Sequence, residues 1–221
     1  MESASSSSLW FYVLLGVIPF AFLCTTSFLK ISVVFSILKN ALGAGGDVPS
    51  GSVIFALSAI LTLYVMAPVG YEIVRVAGPS AAQVNTADPM SDQAALTSTW
   101  EAGIEPLRAF LNRNTSPRER DLFFELARDA RPEDQRAAIT NTDLLILVPA
   151  FVVTELSEAF QIGFLVFIPF LIIDLVIANV LMALGMQTLN PTQVSMPFKL
   201  LLFVLVDGWY LLARALVLGY A

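Results

Sequence analysis

Histidine is absent from the 221 residues, and cysteine occurs once, as Cys24. Without histidine there is no His-based triad and no imidazole proton shuttle. Without histidine or a second cysteine, no metal site rests on His or on paired Cys. A lone cysteine also excludes an intrachain disulfide, so Cys24, in an apolar stretch, reads as a buried small hydrophobe. Charge is scarce as well. Only 14% of residues are charged, and 18 acidic against 12 basic side chains leave a net charge of −6. No basic patch exists to neutralise phosphates, which argues against a nucleic-acid partner. No calcium-loop spacing of carboxylates appears, and nothing in the sequence calls for a cofactor.

What is present is apolar surface. The chain is 57% hydrophobic with a mean hydropathy of +0.75, the composition of an all-α, membrane-type protein. Its longest apolar run, Asp143 to Met186, would reach more than 60 Å as one helix, about twice a bilayer's hydrocarbon core of roughly 30 Å. Pro149 and Pro169 each remove a helical donor and Gly163 offers a bend, so two packed helices are expected. Glu155, Glu158 and Gln161 recur every three residues on one helical face, and Asp174 and Asn179 add polar groups further on. Acidic groups in such a run are costly, so they face protein or water rather than lipid. Interfacial solvation, subunit packing and a polar passage all fit that pattern.

Met1 to Ser8 is polar with no positive n-region, so no cleavable signal peptide is expected. Leu9 to Phe28 is apolar and long enough to span, interrupted by Pro19, and the periodic segment continues to Leu38. Lys30 near its end reads as a snorkelling, structural lysine. Lys39, Asn40 and Gly43 close the segment. A Gly-rich turn from Ala41 to Ser52 leads to a second apolar segment, Val53 to Val76, with a kink expected at Pro68. Glu72 and Arg75, at i and i+3, mark its far end as a pair of little energetic weight.

Most of the charge falls between Gly78 and Asp143. Gly78 to Asp92 reads as a linker. Leu96, Trp100, Ile104, Leu107 and Leu111 then recur at helical spacing as a buried stripe, with Pro106 bending the helix or marking a boundary. Ser116-Pro117-Arg118-Glu119 has the pattern of a capping box. The helix behind it carries Leu122, Phe123 and Leu126 on one side, as core or subunit interface, and Pro132 stops it. Thr140 to Asp143 caps the central run, and Gly185 to Met196 breaks it. Pro197 to Leu218 is the last apolar segment, with Lys199, Asp207 and Arg214. Lys199 and Asp207 are two turns apart, so each is expected to find its partner on another helix. The chain thus divides into N-terminal hydrophobic helices (1–76), a polar helical region (77–142) and C-terminal hydrophobic helical hairpins (143–221). Lys39 and Lys199 beside the short loops, against an acidic excursion, place the short loops in the cytoplasm and 77–142 outside it.

The stretch Pro149 to Phe164, PAFVVTELSEAFQIGF, resembles the signature of the FliP/YscR family, export-gate subunits of flagellar and virulence type III secretion systems. Pro197-Phe198-Lys199 followed by Asp207-Gly208-Trp209 resembles the family's second signature. Thr26-Ser27-Phe28, Leu38 to Gly43, Met66-Ala67-Pro68-Val69 and Glu105-Pro106-Leu107-Arg108 are further matches, in the expected order. The resemblance implies no enzyme but a core subunit of the export apparatus. It implies a homopentamer of bent helical hairpins in a helical ring assembly, joined by S- and T-type subunits and other export-gate components. Unfolded secreted proteins would pass through its channel. The location implied is the bacterial inner membrane, multi-pass, with the assembled complex projecting into the periplasm. The family's methionine-rich gasket matches Met186, Gln187, Thr188 and Leu189 here, where only Met186 is a methionine. Met186 ending a helix against its neighbour is the alternative. Lys30, Lys39, Glu155, Glu158, Asp174, Lys199 and Asp207 take structural charge and packing roles in this reading. Compact length and the missing leader fit the virulence branch. A small-solute or ion secondary transporter, relaying protons through Glu155, Glu158 or Asp174, is the competing function. An intramembrane enzyme would need a carboxylate pair or a Ser–Lys arrangement, and nothing singles out either.

Overall fold

A computed structural model describes residues 16–17, 19–43, 49–82, 93–186 and 188–220. The polar leader, residues 9–15 and 18 of the first apolar segment, most of the 78–92 linker and Gln187 lie outside the described residues. Every regular element among those described is helical. In chain order these are α1 (Pro19–Thr25), α2 (Phe28–Ala41), α3 (Gly51–Ala81), α4 (Gln93–Arg113) and α5 (Pro117–Asp129). A 3-10 turn (Glu133–Ala138) follows, then α6 (Leu144–Ala183), α7 (Pro191–Leu205) and α8 (Gly208–Leu218). Among the described residues, two single helices, α3 and α6, are long and apolar enough to cross a membrane. The count rises to four if α1 with α2, and α7 with α8, each act as one bent span.

The central run is one continuous helix of 40 residues, not the two packed helices expected. Each proline deletes a single backbone bond, and in apolar surroundings every remaining N–H and C=O must still be paired within the segment. Continuing the helix satisfies them, whereas a turn would leave several unpaired. Gly163 is not a bend either. A Cβ built there would lie 2.3 Å from Ile37 Cδ1, so glycine is required by close approach to α2. Other boundaries move as well. Helix α3 continues through Pro68 and Pro79 to Ala81, and α4 runs through Pro106. Helix α7 starts at Pro191, so Thr192 to Met196 are helical rather than loop. The break comes instead inside the last apolar segment, where α7 and α8 are bent by 61°.

The described residues form two compact units. One comprises those of Met1–Ser27 and Met66–Glu155, the other those of Phe28–Val65 and Leu156–Ala221. The boundaries fall inside α3 and α6.

In the first unit Phe110 and Leu111 of α4 are buried, as are Ile146, Leu147, Ala150 and Phe151 of α6, with Phe110 edge-on to Phe151 at 5.8 Å. The stripe of α4 is buried only toward its C-terminal end. Trp100 stays 69% exposed, and on α5 Leu122 and Leu126 are exposed too. Among the described residues, no surface covers these side chains. Ser116 is the N-cap of α5 with Pro117 behind it, but the capping box does not close: the Ser116 N–H donates instead to Thr154 Oγ1, 3.2 Å away on α6. The Ser116 hydroxyl interacts with the Glu119 carboxyl and holds it below its ordinary pKa. Thr140 donates its N–H (3.0 Å) and its hydroxyl (2.8 Å) to the carboxylate of Asp143, which precedes α6. Those two bonds lower the Asp143 pKa. Cys24 on α1 is half-buried rather than buried.

The second unit has a core of its own. Ile31, Val34, Phe35, Leu38 and Ala41 of α2 form its core with Ile54 of α3, Ala159 and Phe170 of α6, Phe203 of α7, and Leu212 and Leu216 of α8. Trp209 stands edge-on to both Phe203 (5.1 Å) and Phe35 (6.2 Å), which ties the α7–α8 bend to α2. The bend needs two special residues. Asp207 has φ 52°, a left-handed conformation that aspartate tolerates better than most side chains. At Gly208 a Cβ would meet the Phe203 ring at 2.2 Å.

Candidate functional site

Two lysines are buried in the second unit, each bonded to a carboxylate of α6. Lys199, 1% exposed, projects from α7 and donates to Asp174 Oδ2 at 2.6 Å. It also donates to the backbone carbonyl of Ala41 at 2.9 Å. That carbonyl belongs to the last turn of α2, where main-chain acceptors lack helical partners and the helix dipole is negative. A cation there satisfies both. Ser195, one turn before Lys199, donates its hydroxyl to the other Asp174 oxygen. Gly43 completes the site: with φ +73° it ends the α2 turn, and a Cβ there would lie 2.8 Å from the Thr192 methyl and 3.2 Å from Lys199 Nζ. Burying a lone charge costs several kcal/mol, but here carboxylate, carbonyl and hydroxyl are all paired.

Lys30 forms the second site. It does not snorkel; it is 2% exposed on α2, bound to Glu158 of α6 at 2.7 Å. Its ammonium also lies 4.2 Å from the centre of the Tyr220 ring, a cation–π contact that fixes the C-terminal end of the chain. The Glu158 side chain is 48% exposed, so this pair borders solvent or a neighbour, whereas Asp174 is 29% exposed.

Between the two lysines sits the Gly163–Ile37 contact. Lys30, Ile37 and Ala41 succeed one another on α2 as Glu158, Gly163 and Asp174 do on α6. The two helices therefore run in the same direction, fastened near each end of α2 and in close contact between.

The other singled-out residues are placed differently. Glu155 is fully buried, one turn before Glu158 on α6, while Gln161 is exposed. Lys39 is half-buried and Asp207 exposed, and neither makes an ion pair among the described residues. Glu72 and Arg75 pair at 2.6 Å on an exposed surface. Of the loop residues, Met186 and Leu189 are 46% and 44% exposed, and Thr188 is exposed. The loop starts from a Schellman-type end of α6: Met186 N–H to Leu181 O, Gly185 N–H to Met182 O, with Gly185 at φ +72°. It finishes at Asn190, whose side chain accepts the Thr192 N–H at 3.0 Å and caps α7. The described loop residues Met186, Thr188 and Leu189 thus lie between two anchored helix ends.

Sequence reasoning missed Ser195 and Tyr220, and it placed Ala41 and Gly43 at the close of the first segment without linking them to Lys199. Gly43 alone carries a local signal, a glycine directly after a helix end.

What can this arrangement do chemically? An apolar hollow of about 450 Å³ between α6, α7 and α8 is lined by residues such as Ile162, Phe170, Leu202, Phe203, Leu211 and Leu212. No lining side chain offers an acid, base or nucleophile. Among the described residues no group of His, Cys, Asp and Glu is placed to hold a metal ion. The buried lysines, their carboxylates and Ser195 are spent on one another, which is the chemistry of fastening helices.

The sequence matches the FliP family over residues 11–216. It is 43% identical to "Pathogenicity-related ORF2" of Xanthomonas campestris pv. glycines, covering 100% of this chain and 99% of that protein. It is 41% identical to "Yop proteins translocation protein R" of Yersinia pestis, covering 94% and 92%. It is also 44% identical to "Flagellar biosynthetic protein FliP" of Pectobacterium carotovorum subsp. carotovorum, covering 92% of this chain and 74% of that protein.

Proposed function

The chain belongs to the FliP family of type III secretion export-apparatus proteins, and from that premise we propose that several copies of it form the wall of a protein-export channel. The family sets aside the secondary-transporter reading. Candidate spans and family together fit a protein of the bacterial inner membrane.

One observation carries the proposal. The most apolar windows of α3 and α6 are only 17% and 11% buried within the chain. A solute carrier needs a site enclosed by its own helices. Here the two ammoniums of Lys30 and Lys199 are buried against carboxylates of α6, and the long apolar faces point away from the chain, toward lipid or other subunits. A homopentamer with S- and T-type subunits, raised toward the periplasmic side, is the assembly we propose for covering them. In it the 77–142 region lies outside the cytoplasm and unfolded secreted proteins thread the axis. The protein performs no catalysis of its own.

Met186, Gln187, Thr188 and Leu189 form the constriction in this proposal. The exposed thioether and leucine are soft apolar groups that close around cargo of varied shape. Deleting Met186–Asn190, with a short Gly-Ser replacement, is expected to leave the complex assembled and make the membrane leak small ions. Assembled complexes in an ion-tight membrane would sink the gasket role.

A further inference from the structure

Helix α8 and the bend before it carry two charges that the fold leaves uncompensated. Asp207 and Arg214 are both exposed, and neither takes part in an ion pair among the described residues. The Asp207 side chain does not cap α8 either. They are seven residues apart, close to two helical turns, so they sit near the same side of α8, about 10 Å apart along its axis. The surface around them is apolar: Tyr210 is 59% exposed, Leu211 50% and Leu218 57%, with Val204 and Leu205 above 70% just before the bend. Asp207 lies well inside the bent α7–α8 span, where an unpaired carboxylate against hydrocarbon is costly. It is also the one described non-glycine residue with positive φ. A left-handed residue at this point costs free energy that the isolated chain does not recover through any side-chain bond.

We infer that this face of α8 is a contact between copies of this chain, in which Asp207 of one copy pairs with Arg214 of the next across an apolar seam. The face is self-complementary: one acid, one base and apolar residues between them, so a neighbour displaced by two turns of α8 brings acid level with base. Lipid alone supplies no cation at the depth of Asp207, whereas a second copy supplies one without any further component. The inference deepens the channel reading and rests on self-assembly.

The test uses the chain co-expressed with its S- and T-type subunits, extracted in mild detergent and weighed by native mass spectrometry. D207R and R214D each place like charges across the seam. Each is expected to lower the multimeric fraction at least about tenfold, since juxtaposed like charges cost several kcal/mol and 1.4 kcal/mol is a factor of ten. Co-expressing the D207R chain with the R214D chain restores opposite charges at every seam between unlike chains, all but one in an alternating ring of five, and is expected to restore mixed multimers in large part. Normal multimers from either single variant overturn the inference. So does a mixture that stays unassembled, which would mean that the charges serve each chain's own folding. Normal self-assembly with loss only of the S- or T-type subunit overturns it too, by assigning the face to another partner. An unaltered chain that is itself monomeric would instead overturn the channel reading, a separable result.

Discussion

The two buried lysines are a matched pair with different surroundings. Lys199 and Lys30 are 1% and 2% exposed, and each binds a carboxylate of α6 at 2.6 to 2.7 Å. Lys199, however, holds a carboxylate that a serine also binds and a helix-end carbonyl, all inside the unit. Lys30 holds a carboxylate whose side chain is half open and leans on an aromatic face. The difference teaches that burial of the cation is not what sets the cost of losing it. What matters is whether the groups left behind can reach water.

The sharpest way to break the comparison is to remove each cation in turn. Lys199→Ala strands the Asp174 carboxylate and the Ala41 carbonyl, and is expected to destabilise the assembled complex by about 3–5 kcal/mol. Lys30→Ala leaves Glu158 able to hydrate where it stands, for about 1–2 kcal/mol including the lost cation–π contact. Thermal unfolding of the complexes in detergent ranks the two. The double variant K199M/D174L removes the stranded charge along with its partner, and Ser195 retains the Thr192 carbonyl, 3.1 Å away, as an acceptor. It is expected to recover most of the loss. Equal effects of the two lysine variants, or no recovery in the double variant, would show that the surroundings do not decide the cost.

A smaller effect tests the helix contact that lies between the two sites. Gly163→Ala drives a methyl into Ile37, and overpacking of this kind costs about 1–3 kcal/mol. Ile37→Ala in the same chain opens the space again and is expected to relieve most of that loss. Gly103→Ala is the control. Its added Cβ meets Ala77 at 3.6 Å, an ordinary contact, so replacing this helical glycine is expected to be neutral or slightly stabilising. If both glycine variants behave alike, the α2–α6 contact is looser than drawn.

How much of this is legible in the sequence depends on the range of the interaction. The helical segments, the polar block and the loop before Pro191 are local patterns, and all are recognisable there. The expected break in 143–186 fails because a proline is judged by the one bond it removes, while the apolar surroundings hold the rest of the ladder together. Trp100, Leu122 and Leu126 have the periodicity of a buried stripe, yet they are exposed, since periodicity reports that a face is to be covered and not by which chain. Lys199 is separated from Ala41 by 158 residues. No spacing rule reaches that far, so pairing across helices emerges only from the fold. The reading of Lys30 as snorkelling fails for a related reason: the end of an apolar segment in sequence is not the end of the packed helix in space.

Asp143 gives the mildest version of the same comparison, a carboxylate near the surface held by neutral donors rather than a buried one held by a cation. The N–H and hydroxyl of Thr140 favour its charged form and lower its pKa. A group whose pKa is depressed by folding adds stability above its unfolded value, near 4 for aspartate, and loses it as pH falls through the folded value. Asp143→Ala is therefore expected to cost about 1 kcal/mol or less at pH 7, because solvent screens so open a site. Below about pH 4 the gap between variant and parent narrows as the parent's carboxylate takes up its proton. Unfolding of the parent and of the Asp143→Ala complex at pH 7 and pH 3 decides the point. A gap that stays constant between the two would mean that Asp143 acts through its shape at the head of α6, and not through its charge.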